Sequence, residues 1–397
     1  MQKKKSFKLP VILMFIVFAI IGLLLFLSQN YNSNANNESL LVENSQSEDK
    51  NTRDEPKRNE RISIGGWIPQ WASKSGLETL RRHDFWTGVS PVWYELNDDA
   101  TLAPMLPENY KELLAYANSQ NIEVIPSIAN FDHVLFSKVV ENEQKLQTHI
   151  EMIIKEVDYY DFAGIDLDYE AIALKDKESY FKILESLSRQ LKAKNKKLSV
   201  TVLSKWGDDV KYGYYPETRE VQDWTRIAQY ADEVRVMAYD FTSQTATYPG
   251  PIAPMDWFIE VLDYALTKVP KEKLVMAVHT YAYEWYATSS ADSESLLAFE
   301  PNGLANTYSG NRNSRAYTYE TISVIHQKYP DGNLVDFQSE MIYRYQAPKS
   351  SGGIENRVVV YIDQEGISER AELAKNHGIK GIYFWRLGND SDLYSHL

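Results

Sequence analysis

Cysteine is absent from all 397 residues, which excludes disulfides, thiolate metal sites, a cysteine nucleophile and a lipid-modified amino-terminal cysteine. No glycine-rich phosphate loop follows the first apolar run of the folded region, so a doubly wound nucleotide-binding sheet lacks its usual signature. Acid is missing from the start of the chain, where Lys3, Lys4, Lys5 and Lys8 precede the first carboxylate, Glu38. Since the formal net charge is still −13, the remainder is more acidic than that figure. This argues against a nucleic-acid partner, and neutral ligands suit the chain better than polyanions. Aromatic residues are abundant: 27 Tyr, 14 Phe and 9 Trp can stack on the ring faces of a ligand or fill a large core.

Leu9 to Leu27 is an uncharged run of 19 residues behind the four lysines. At 1.5 Å per residue it would span roughly 28 Å, close to the hydrocarbon thickness of a bilayer. The expectation is a basic cytoplasmic start at 1–8 and a transmembrane anchor at 9–27, with the rest of the chain outside the cell membrane. The rival is a cleaved signal peptide, for which the run is long and Ser28-Gln29-Asn30 a poor cleavage site. Residues 28–61 are rich in Asn, Ser, Glu, Asp and Lys and predict a disordered linker with a reach of roughly 30 Å.

From Ile62 onward short apolar runs alternate with amphipathic segments, as in βα units around a parallel sheet. Eight strands are predicted: Ile62 to Trp67, Gly88 to Tyr94, Glu123 to Ile128, Ala163 to Tyr169, Leu198 to Leu203, Glu233 to Tyr239, Leu274 to Thr280 and Gly381 to Trp385. Between them run stripes with helical spacing, such as Leu146, Ile150, Ile153 and Val157. The fold class is therefore α/β, a (β/α)8 TIM barrel over 62–397, whose chemistry gathers at the carboxyl ends of its strands. A segment at about 287–356 is too long for a βα loop and predicts a small α+β insertion between strand 7 and the last helix. The stretch Gln244 to Pro254 predicts a loop at the active face.

The fourth strand carries the densest chemistry, Phe162-Ala163-Gly164-Ile165-Asp166-Leu167-Asp168-Tyr169-Glu170. Strand alternation puts Asp166, Asp168 and Glu170 on one face, roughly 7 Å apart. Like charge and burial both raise a carboxyl pKa, so one member can stay protonated near neutral pH, as a general acid must. The bland alternative is a solvated acidic strand edge.

Here the chain resembles family 18 of the glycoside hydrolases, the chitinase family. Its fourth-strand motif Asp-Gly-x-Asp-x-Asp-x-Glu is matched at 163–170, with Ala163 in place of the first Asp; its Met-x-Tyr-Asp is matched by Met237-Ala238-Tyr239-Asp240, and its eighth-strand Trp by Trp385. The segment from His279 to Trp285 is similar to the family's Pro-x-Tyr-Gly-x-x-Trp, with His279 and Ala282 departing from it. The ending Trp385-Arg386-Leu387-Gly388 is most similar to bacterial members acting on cell-wall or spore-cortex glycans.

The resemblance implies hydrolysis of β-1,4 bonds next to N-acetylglucosamine with retention, through attack by the substrate's own acetamide oxygen. It implies Glu170 as general acid, Asp168 as the partner of the acetamide nitrogen, Asp166 as its proton-sharing neighbour and Tyr239 as donor to the acetamide oxygen. It further implies Asp240, Trp385, Met237 and Tyr281 as substrate-binding residues. Position adds Trp67, Trp93 and Tyr94 as stacking residues, each equally suited to core packing. By parity Ala163 points away from the carboxylate column, and His279 reads as structural. The expected partner is an N-acetylated glycan, with no metal, no cofactor and no reading for oligomeric state. Two alternatives stand beside this: a catalytically weak or silent glycan-binding protein on the same barrel, and magnesium held by Asp166, Asp168 and Glu170, against which barrel metal sites usually draw ligands from several strands.

Overall fold

The computed structural model describes residues 62–397 except 214, 247–248, 288–311, 350–351 and 391. The anchor expected at 9–27 and the linker expected at 28–61 lie outside the described residues. Among those described, no helix is long and apolar enough to cross a membrane.

Eight parallel strands close a barrel: β1 (Ser63–Pro69), β2 (Gly88–Leu96), β3 (Ser127–Asn130), β4 (Gly164–Tyr169), β5 (Lys197–Leu203), β6 (Glu233–Met237), β7 (Leu274–His279) and, at the end of the chain, β13 (Gly381–Trp385). Each pairs with its neighbour in chain order, and β1 closes the ring by pairing with both β2 and β13. The helices between them include α1 (Ser73–Arg82), α2 (Tyr110–Ser119), α3 (Glu143–Tyr160), α4 (Lys177–Lys192), α5 (Trp224–Tyr230), α6 (Met255–Lys268) and, before β13, α8 (Gln364–His377). The predicted stripes are the buried faces: Leu146, Ile150, Ile153 and Val157 on α3, and Tyr180, Leu184, Leu187 and Leu191 on α4, pack against the outward residues of the strands. Gly164 opens β4 because a Cβ there would stand 2.2 Å from the Lys197 carbonyl oxygen of the neighbouring strand.

Two strands differ from expectation for local reasons. The third is broken into Glu123–Val124 and β3, with the interruption at Ile125-Pro126, where proline has no N–H to give the ladder. In β2 the register slips between Val92 and Tyr94. Ser90 and Val92 point into the barrel, and simple alternation would send Tyr94 there too; the extra residue turns Trp93 and Tyr94 both outward, into the helix layer.

The insertion begins earlier than expected, at the very end of β7, and runs to Tyr361. Strands β8 (Tyr281–Ala287), β9 (Arg312–Thr318), β10 (Asn333–Asp336), β11 (Met341–Pro348) and β12 (Ile354–Tyr361) form an antiparallel sheet in the order β9-β8-β12-β11-β10. Helix α7 (Tyr319–Lys328) covers one face through Ile322 and Ile325. The other face buries Tyr283, Trp285, Ile342, Val358 and Val360 with Ile252 of the loop after β6.

Candidate active site

The carboxylate column stands inside the barrel. Ile165, Leu167 and Tyr169 face outward into the helical core, where the Tyr169 hydroxyl meets His149 Nε2 of α3 at 2.7 Å. Asp166 is fully buried and accepts hydrogen bonds from Ser127 Oγ at 2.6 Å, Ser199 Oγ at 2.7 Å, Thr201 Oγ1 at 3.0 Å and Trp67 Nε1 at 3.2 Å. Its remaining neighbour is a charge: Arg235 Nη1 lies 3.8 Å away. Four strands thus fix one carboxylate.

Arg235 lies deeper on β6, fully buried. It donates to Glu233 at 2.8 Å and to Ser90 at 2.5 Å and lies 3.9 Å from the Tyr383 ring centre. Sequence reading missed this interior network, although its signal was present. In Glu-Val-Arg-Val-Met (233–237) and Ser-Val-Thr-Val (199–202), polar residues alternate with valine, and in a barrel with a helix-covered exterior the polar set must face in.

Asp168, the next residue up, is buried, and its Oδ1 has no hydrogen-bond partner among the described residues. Burial first, then the charges of Glu170 and Asp166, hold its carboxyl well above the usual carboxylate range, against the pull of Arg235. Glu170 tops the column, half-buried. Its backbone N–H donates to the Asn130 carbonyl at 2.8 Å, Asn130 Nδ2 donates to the Ala171 carbonyl at 2.8 Å, and Gln222 Nε2 donates to the Tyr169 carbonyl at 3.2 Å. These clamps fix the strand end from both sides. Burial, then the charge of Asp240, pushes the Glu170 carboxyl up to about 7, against Arg219.

The structure brings Tyr239, Asp240, Tyr281 and Trp385 to this end of the barrel. Burial and the charges of Glu170, Asp168 and Asp240 keep the Tyr239 phenol well above its usual pKa, so it stays a donor. Asp240 has a left-handed backbone (φ 60°) and accepts from the hydroxyls of Tyr281 at 2.5 Å and Tyr283 at 2.9 Å. Trp385 is half-buried, with Trp67 edge-on beneath it at 6.3 Å. Met237 is buried at the end of β6, on the face that carries Glu233 and Arg235.

The three expected stacking residues are placed otherwise. Trp67 is only 1% exposed and serves Asp166 through its indole N–H. Tyr94, turned outward by the slip in β2, gives its hydroxyl to Glu156 of α3 at 3.0 Å and is not in this cluster. Trp93 is likewise buried among Tyr110 and Phe162. His279 is fully buried, 3.3 Å from Glu340.

Residues 15–390 match the family model described as glycosyl hydrolases family 18; the chain belongs to this family and is a chitinase-like glycoside hydrolase. It is 25% identical over 289 residues to the uncharacterized glycosylase YvbX of Bacillus subtilis, covering 71% of this chain and 75% of YvbX. With the cortical fragment-lytic enzyme of Bacillus anthracis it shares 26% identity over 310 residues, 77% of this chain but 65% of that protein's length. Among solved structures, the Bacillus megaterium spore cortex-lytic enzyme SleL superposes with a TM-score of 0.65 at 20% identity, over 82% of this chain and 71% of SleL. A chitinase from Chromobacterium violaceum gives 0.68 at 18% identity, over 84% and 96%.

Proposed function

We propose that the protein hydrolyses β-1,4 bonds beside N-acetylglucosamine, in peptidoglycan or a chitin-like glycan, with retention and with the substrate's acetamide as nucleophile. The observation that carries this is the division of labour in the column. Asp166 is saturated by donors, Asp168 is a buried, proton-retaining carboxyl with one oxygen unpartnered among the described residues, and Glu170 is an acid poised near neutrality.

Glu170 protonates the glycosidic oxygen as the bond to the leaving sugar lengthens. The acetamide oxygen closes on the anomeric carbon, while Asp168 takes the acetamide N–H and Tyr239 donates to its oxygen. Glu170, now ionised, then activates the water that opens the ring intermediate. Asp240 positions the sugar and water, and Trp385 forms the apolar floor.

The relatives named as cortex-lytic enzymes favour peptidoglycan over chitin, and the lysine-flanked apolar run at 9–27 favours a barrel held outside the cell membrane. Digesting purified peptidoglycan and chitin oligomers and identifying the new reducing end by mass spectrometry tests the substrate. Glu170→Gln should lose at least 100-fold in kcat while retaining glycan binding by calorimetry; undiminished turnover would remove Glu170 as the acid.

A further inference from the structure

A second buried carboxylate stands apart from the column. Glu340 ends the tight turn between β10 and β11 and is fully buried. Its two oxygens accept from consecutive backbone groups, the N–H of Ile252 at 2.6 Å and of Ala253 at 2.8 Å. Both belong to the loop after β6, whose base is closed by the Phe241 N–H donating to the Ile252 carbonyl at 2.8 Å. Phe241 follows Asp240 directly. A chain of peptide and hydrogen bonds therefore runs from Tyr239 and Asp240 to a side chain of the insertion.

The surroundings are built around that carboxylate. Arg370 Nη2 of α8 lies 3.7 Å from it; the Arg370 guanidinium also donates to the carbonyls of Gly366 at 2.9 Å, Ser339 at 3.3 Å and Ala253. His279 contributes no positive charge near neutral pH, since burial and then Arg370 hold its pKa well below the usual value. Beside the turn, the Gln338 side chain donates to the Asp256 carboxylate at 2.8 Å and accepts from the Asp256 N–H at 3.2 Å, while its backbone carbonyl accepts from the Met255 N–H at 3.1 Å. Burying a carboxylate is costly, and burial alone pushes Glu340 up to about 7 against Arg370 and the two N–H groups. Covering the loop would require only an apolar side chain; two converging buried N–H donors call for acceptors, and the two oxygens of Glu340 meet them one apiece.

We propose that Glu340 is a positioning residue of the active site: by fixing the N–H groups of Ile252 and Ala253 it holds the loop after β6, and with it Tyr239 and Asp240, in register with Glu170. This rests on the reading of Glu170 as the acid. Since the Asp240 charge helps raise the Glu170 carboxyl, loosening the loop must show in the acid's titration as well as in the rate.

The test compares the wild type with Glu340→Gln, whose amide turns an N–H2 toward one of the two donors, and with Gln338→Ala, which removes a neighbouring docking contact and leaves Glu340 in place. In E340Q, kcat on an N-acetylated oligosaccharide should fall on the order of tenfold. The basic limb of its kcat/KM profile should move to lower pH, and amide exchange at Phe241 and Ile252 should quicken. Q338A should lower Tm and leave the pH limb where it was. If E340Q does not fold, Glu340→Asp, one methylene short, should give the same shift in smaller measure. Wild-type kcat and an unmoved limb in the folded variant, whatever its Tm, would make Glu340 merely structural and overturn the proposal. A wild type without hydrolysis would instead sink the Glu170 reading, and the exchange rates alone would then decide the clamp.

Discussion

Asp166, Asp168 and Glu170 are one chemical group in three environments, and the environment sets what each can do. Four neighbouring strands supply the groups around Asp166, Asp168 Oδ1 has no hydrogen-bond partner among the described residues, and Glu170 sits where burial and Asp240 together raise its carboxyl to about 7. An acid catalyst must hold its proton, so kcat/KM should fall as pH rises through about 7. Asp240→Asn should bring that fall to lower pH, yet not to the ordinary carboxylate range, because burial is the larger cause. An unshifted limb in Asp240→Asn would exclude Asp240 as a contributor. The three acids were legible in the sequence because alternation on a strand is a property of the backbone itself. Their separate roles were not, since these depend on Ser127, Ser199, Thr201, Trp67 and Arg235 arriving from other strands. Asn130 and Gln222, which fix the backbone at Glu170, carry no signal in the chain at all: an Asn at a strand end or a Gln just after a short helix is ordinary until its partners are known.

Among the elements, β2 shows where alternation fails. One extra residue between Val92 and Tyr94 reverses every side chain beyond it, and no composition marks the place, because Trp and Tyr suit either the barrel or the helix layer. Tyr94→Phe should therefore lower stability by about 1 kcal/mol through loss of the bond to Glu156 and leave KM unchanged; a raised KM would return Tyr94 to the site. The break in the third strand was more legible, since Pro126 names it. The eight strands and their helical stripes were readable because a closed parallel barrel buries both faces and imposes periodicity on each segment. The insertion was recognisable by its length, but its start was not: Tyr281-Ala282-Tyr283 alternates like a continuation of β7, and only the turn of the chain at Thr280 separates them.

For the molecule as a whole, Glu170 and Glu340 link stability to pH. Each has a folded pKa of about 7 against an ordinary 4.5, so each binds a proton more tightly folded than unfolded. Their contribution is fully present below about pH 4.5 and is lost as pH rises toward 7. Glu170→Gln, neutral throughout, should gain Tm over the wild type at about pH 7.5 and gain less at about pH 5; equal differences at both would show that Glu170 ionises normally. The barrel and the antiparallel sheet are separate by architecture, yet the hydroxyls that hold Asp240 come from Tyr281 and Tyr283 on the sheet's first strand, and Glu340 from its last turn but one. The insertion is consequently no exchangeable module. A chimera that took this sheet from one relative and the barrel from another would inherit half of a matched set, and its activity would depend on whether Asp240 and the loop after β6 had crossed over together with their holders.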